Sequence, residues 1–133
     1  MTEKVHCFRE LIVWQKGILL AKETYSLTAA FPPEEKFGII SQMRRAATSV
    51  PANIAEGWSR KHTREYIQFI HIAIGSLAEL ETFLEISKEL GYVRVPDESD
   101  SIMGLIHELQ KMLYSMDKSL SSRNCPAPIR SLK

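Results

Sequence analysis

Between Ser41 and Arg64 the chain gathers the side chains best suited to chemistry or to holding a charged ligand. Arg44 and Arg45 are adjacent, Asn53 and Glu56 follow at helical spacing, and Arg60, Lys61, His62 and Arg64 cluster beside Trp58. Glu56 is the one acid in this stretch. The sign then reverses: from Glu65 to Leu90 the charged residues are Glu65, Glu79, Glu81, Glu85 and Glu89 against Lys88. Guanidinium and ammonium groups next to an aromatic ring can neutralise phosphates and stack a base. Arg44, Arg45, Arg60, Lys61 and Arg64 are therefore the candidate residues for binding RNA or DNA. The competing reading is a solvated turn and helix face.

Patterns that would signal catalysis are missing. There is no glycine-rich phosphate loop and no His-Glu-x-x-His. The Glu-x-x-His of di-iron bundles fails at each candidate, because Ser59, Gln68 and Gly104 stand three residues before His62, His71 and His107. No serine or cysteine has an evident base partner. The expectation is a non-enzyme with no metal, no cofactor and no small-molecule substrate. His71 and His107 read as helix-surface or boundary residues.

Four elements must position these groups. A first helix over about residues 8–27 has Leu11, Trp14, Ile18, Ala21 and Tyr25 at steps of three and four. Phe31, Pro32 and Pro33 break it. A second helix is expected over about residues 33–56, with Ile40, Met43, Ala47, Val50 and Ile54 as its seam. That seam stays in phase across Pro51, which predicts one kinked helix rather than two. Pro51 has no N–H for the Ala47 carbonyl, which Thr48, Ser49 or a water could satisfy instead. Gly57 is the expected stop and Thr63 the expected N-cap of the next helix.

The third helix, about residues 63–90, carries Tyr66, Ile70, Ala73, Leu77, Leu80 and Leu84. Gly75 inside it suggests a close approach by a neighbouring backbone, and Gly91 is the expected terminator. The fourth, about residues 97–120, opens at Asp97 or Asp100 after Pro96. Its stripe includes Ile102, Leu105, Ile106, Leu109, Met112, Leu113 and Met116. Long helices with short connections predict an all-α, antiparallel, up-and-down four-helix bundle. It forms one domain over residues 1–121, with a flexible tail over 122–133.

If the second and third helices turn back around residues 57–62, Arg44 lies opposite Ser76 and within reach of Glu79. The predicted structural polar network is thus Arg44, Ser76 and Glu79, with Asn53 and Glu56 flanking the seam. Arg44 and Glu79 either pair across the helices or both point to water. Asn53 and Glu56 either bond the local backbone or form part of a site.

The formal net charge is +1, so no global field draws the chain onto nucleic acid, and any binding must be local. No apolar run approaches the roughly 18 residues of a membrane span, and the N-terminus lacks a signal-peptide pattern. A cytoplasmic protein is expected. Cys7 and Cys125 read as free thiols, with a staple between the chain ends as the alternative.

The segment from Phe8 to Lys16 resembles the opening of the four-helix-bundle proteins first noted as reading frames in intervening sequences of 23S ribosomal RNA genes. Gln42-Met43-Arg44-Arg45-Ala46-Ala47, then Ser49-Val50-Pro51-Ala52-Asn53-Ile54-Ala55-Glu56-Gly57, is similar to that family's signature. Ala73 and the run from Gly75 to Glu81 match as well. The chain also resembles the accessory protein of diversity-generating retroelements, a pentameric bundle that binds nucleic acid and a reverse transcriptase. The resemblance implies a bacterial, cytoplasmic, left-handed bundle that forms ring-shaped homopentamers, with no catalytic residues to transfer. A ring would cover Ile12, Leu19, Ile39, Ile67, Ile74 and Phe83, which the seams leave over. It would also repeat each basic patch around a closed axis. The expected protein is a homo-oligomer that binds RNA or DNA. The alternative is a protein-interaction scaffold without nucleic-acid binding.

Overall fold

The computed structural model describes residues 5–94 and 99–124, which hold four α-helices: α1, Ile12–Thr28; α2, Ile39–Trp58; α3, Thr63–Glu89; and α4, Asp100–Asn124. Short 3-10 turns, Phe8–Glu10 and Pro33–Glu35, precede α1 and α2. No strand occurs among the described residues. Each helix packs on the next in the chain, and α1 also packs on α4. Paired side chains give the register. Arg44 meets Thr28, Ser49 meets Ser76, Gln110 meets Glu81, and Lys16 meets Glu108. Gly17 lies against Pro51, Gly57 against Phe69, His71 by Asp117, and Ser101 by Glu23. Numbers rise along one helix as they fall along its neighbour, so adjacent helices run in opposite directions.

All four helices supply the core. Leu20, Met43, Ile54, Ile70, Leu77, Leu80, Leu84, Ile106, Leu109 and Leu113 are fully buried. Burying one such side chain contributes about 1.5–3 kcal/mol. The predicted seams of α2, α3 and α4 face the core, with Tyr66, Met112 and Met116 only partly buried at its margin. By length and composition α3 is apolar enough to cross a membrane, with a mean hydropathy of 1.3 over its best window. Reading uninterrupted apolar runs missed this, because polar residues break every run. In the fold α3 packs on both α2 and α4.

The face of α1 differs from the predicted one. Val13, Gly17, Leu20, Thr24 and Thr28 are buried, whereas Ile18 and Tyr25 are 44% and 46% exposed. The helix is turned by about one residue, roughly 100°, from the apolar pattern. Its contact with α2 selects small residues: a Cβ at Gly17 would stand 3.1 Å from Pro51 Cβ. Thr24 and Thr28 bury their hydroxyls at no loss, each donating a 2.8 Å hydrogen bond to a carbonyl one turn back, at Leu20 and Thr24.

The start of α2 is also later than predicted. Pro33–Glu35 forms a 3-10 turn, and Glu35 Oε1 then accepts a 3.3 Å hydrogen bond from the Ile39 N–H. Tyr92 Oη donates to the other carboxylate oxygen at 2.8 Å. One helix, not two, crosses Pro51. Neither hydroxyl nearby serves the Ala47 carbonyl. Thr48 Oγ1 donates to the Arg44 and Arg45 carbonyls, and Ser49 bonds Ser76.

Two glycines differ from their expected roles. Gly57 lies inside α2 rather than ending it, where a Cβ would sit 2.8 Å from both Phe69 Cβ and Tyr66 Cδ1. Gly75 has nothing within 4 Å, so no neighbour approaches it. Thr63 is the first residue of α3, with His62 at the cap position. Gly91 terminates α3 as predicted, at φ +79°. Its N–H bonds the Lys88 carbonyl at 3.0 Å, and the Tyr92 N–H bonds the Ser87 carbonyl at 2.9 Å. The fourth helix continues through residues 122–124, the first part of the predicted tail. The remainder of that tail, with Cys125, lies outside the described residues, as do Pro96 and Asp97. Among the described residues Cys7 has no disulfide partner.

Candidate nucleic-acid interface

The five predicted cations do not form one patch. Arg44 and Arg45 lie near the start of α2, and Arg60, Lys61 and Arg64 at its junction with α3. Thirteen helical steps, roughly 20 Å of rise, separate Arg45 from Trp58 at the end of α2, and Arg60 lies two residues beyond.

At the first patch, α1 and α2 share the side chain of Arg44. Its Nε donates to Thr28 Oγ1 at 2.8 Å and its terminal nitrogen to the Tyr25 carbonyl at 3.3 Å. The guanidinium carbon lies 4.3 Å from the centre of the Tyr25 ring. A cation at the C-terminal end of α1 also suits the carbonyls exposed there. Arg45 is exposed and has no carboxylate partner among the described residues. Sequence reasoning missed two neighbours, Lys36 and Phe37. The Phe37 ring is 88% exposed, with Lys36 Nζ 5.5 Å from its centre. Tyr25, Lys36, Phe37, Arg44, Arg45 and Thr48 line a depression of about 360 Å³. The apolar pattern would have buried Phe37, three residues before Ile40. Its exposure follows from the break at Gly38, where φ −108° and ψ −116° precede the helix.

At the second patch Arg60 is partly satisfied. It pairs with Glu56 Oε2 at 2.6 Å and lies 5.0 Å from the centre of the Phe69 ring. Lys61 and Arg64 are exposed without carboxylate partners among the described residues. With His62, Thr63 and Glu65 they line a depression of about 500 Å³.

The predicted polar network splits into separate groups. Arg44 turns to α1, not to Glu79, which is exposed and forms no ion pair among the described residues. Ser76 bonds Ser49 at 2.8 Å, and the Asn53 amide donates to both the carbonyl and the hydroxyl of Ser49 at 2.8 Å. This seam joins α2 to α3 without any charge. Glu56 belongs with Arg60 instead. Between α3 and α4, His71 Nε2 lies 3.0 Å from Asp117, and Glu81 meets both His107 and Gln110. Among the described residues no cluster of three metal-ligating side chains occurs. The Glu35 hydrogen bond raises the Tyr92 phenol above its ordinary pKa, aided by its partial desolvation and the charges of Glu35 and Glu34.

The family model for the 23S rRNA-intervening sequence protein matches residues 9–115. A crystal structure of a protein of unknown function from the S23 ribosomal protein family of Bacteroides thetaiotaomicron VPI-5482 is similar, at 26% identity and a TM-score of 0.71. The match covers 80% of this chain and 98% of that one. No curated protein matches the chain.

Proposed function

We propose that this chain, which belongs to the 23S rRNA-intervening sequence protein family, is a non-enzymatic, homo-oligomeric binder of RNA or DNA in the cytoplasm. The observation that carries this reading is the exposure of Arg45, Lys61 and Arg64 without carboxylate partners among the described residues. A phosphate meeting such a cation displaces counterions and water but breaks no ion pair. One copy offers few of these groups, and its formal net charge is +1. A homo-oligomer, five-membered as the sequence resemblance implies, multiplies them around an axis.

Apolar side chains support self-association. Ile12, Ile18 and Leu19 on α1 and Ile72 and Ile86 on α3 stand exposed. Ile39, Ile67, Ile74 and Phe83, which sequence reasoning also assigned to such a surface, pack against the core instead. The same exposed side chains support the competing reading, a scaffold that binds protein partners. Filter binding of a structured RNA at about 50 and 200 mM salt separates the two. Retention that weakens steeply with salt, with a shallower slope after Lys61→Ala and Arg64→Ala, supports nucleic-acid binding. No retention at the lower salt favours the scaffold.

A further inference from the structure

We propose that the depression at the start of α2 is a stacking subsite for an unpaired base, with Phe37 as its platform and Lys36 and Arg45 on the adjoining phosphates. This rests on the nucleic-acid reading and narrows it to single-stranded ligand. A lone exposed aromatic is ordinary. Phe37 differs in three respects.

First, its surroundings are cationic. Lys36 lies 5.5 Å from the ring centre, and Arg44 and Arg45 share the same depression. Second, the Glu35 carboxylate is directed elsewhere. One Glu35 oxygen holds the Ile39 N–H and the other the Tyr92 hydroxyl. Third, the platform stands on a fixed base. The Gly38 N–H bonds the Glu35 carbonyl at 2.9 Å, and the Gly38 carbonyl accepts from the Gln42 N–H at 3.1 Å. A Cβ at Gly38 would lie 2.6 Å from Glu35 Oε1, so the glycine lets that carboxylate cap the helix.

The chemistry then selects the ligand. Every base has a π-face that an aromatic ring can cover, and cations beside the ring take the backbone on either side. A duplex hides those faces between its own base pairs. Arg44 is occupied with Thr28 and Tyr25, so it forms a positive wall rather than a free contact.

The test is fluorescence anisotropy with a labelled oligothymidylate of about a dozen nucleotides and a hairpin duplex of similar length. The wild type, Phe37→Ala and Phe37→Trp are compared. Phe37→Ala is expected to weaken single-strand binding on the order of 5- to 100-fold and to change duplex binding by less than about twofold. Phe37→Trp is expected to keep the single-strand affinity. Its added emission, measured against the Phe37→Ala protein in which Trp14 and Trp58 supply the background, is expected to be quenched by the oligothymidylate. Single-strand binding untouched by Phe37→Ala, or equal losses for both ligands, overturns the subsite while leaving nucleic-acid binding in place. A change in sedimentation coefficient with Phe37→Ala also overturns it and assigns Phe37 to a contact between copies. Absence of wild-type binding to either ligand at low salt sinks both readings.

Discussion

Alanine at Gly57 and alanine at Gly75 should shift stability in opposite directions. Both glycines lie inside helices, where alanine is favoured by about 0.8–1 kcal/mol. At Gly75 the new methyl meets nothing within 4 Å. The gain should appear almost in full, as about 0.5–1 kcal/mol of added stability. At Gly57 the methyl would stand 2.8 Å from Phe69 Cβ and Tyr66 Cδ1, and 3.3 Å from the Tyr66 carbonyl oxygen. Carbon atoms prefer about 3.5–4.0 Å. The Tyr66 ring can turn away, but Phe69 Cβ is fixed to the α3 backbone, so α3 must retreat by roughly 1 Å. Overpacking of this kind costs about 1–3 kcal/mol, and the helix-propensity gain is small at the next-to-last residue of α2. The net expectation is a loss of about 1–2 kcal/mol. Urea unfolding at one fixed protein concentration reads both variants. With a slope of about 2 kcal/mol per molar, the midpoint should fall by about 0.5–1 M for Gly57→Ala and rise by about 0.3–0.5 M for Gly75→Ala. A Gly57→Ala protein as stable as the wild type would refute the claim that this glycine exists for close helix contact.

Three further outcomes follow from the polar contacts. Ser49→Ala and Ser76→Ala, measured singly and together, should show a coupling of about 0.5–1.5 kcal/mol; additive losses would mean that the 2.8 Å bond does not hold α2 to α3. Thr28→Val keeps the shape but removes the acceptor of Arg44 Nε, and should cost about 1–2 kcal/mol in the same urea assay, with little further loss once Arg44 is also changed to methionine. In an ultraviolet titration of tyrosinate, Tyr92 should ionise above the ordinary value of 10.0, and Glu35→Gln should bring it down. The sign follows from linkage: the raised folded pKa favours the protonated phenol, so its contribution is fully present below the unfolded pKa and is lost as pH rises through the folded one.

Much of the architecture was readable because large apolar residues repeat at helical spacing in α2, α3 and α4. The face of α1 was not, because Gly17, Thr24 and Thr28 hold it against α2 by smallness and by hydroxyls bonded within the helix. Hydrophobicity carries no trace of either device. Gly57 and Gly75 look alike in a sequence, since only a neighbour's position tells an ending from a contact. The first patch was half legible. Arg44 and Arg45 stood out by charge, but Phe37 fell in phase with the buried stripe and needed the break at Gly38 to be exposed. Equal rise along α2 and α3 offered Arg44 only Glu79 or water, an estimate blind to a third helix offering Thr28 and Tyr25.

The unbroken run of α2 from Ile39 to Trp58 makes it a measuring rod. The cationic groups near its two ends stay roughly 20 Å apart, a span of about six base steps at about 3.4 Å each. On the proposed nucleic-acid reading, shorter oligonucleotides should engage one end alone and longer ones should reach both. Affinity against ligand length should then climb as a step at that span, with the height of the step reporting how far the two ends act together.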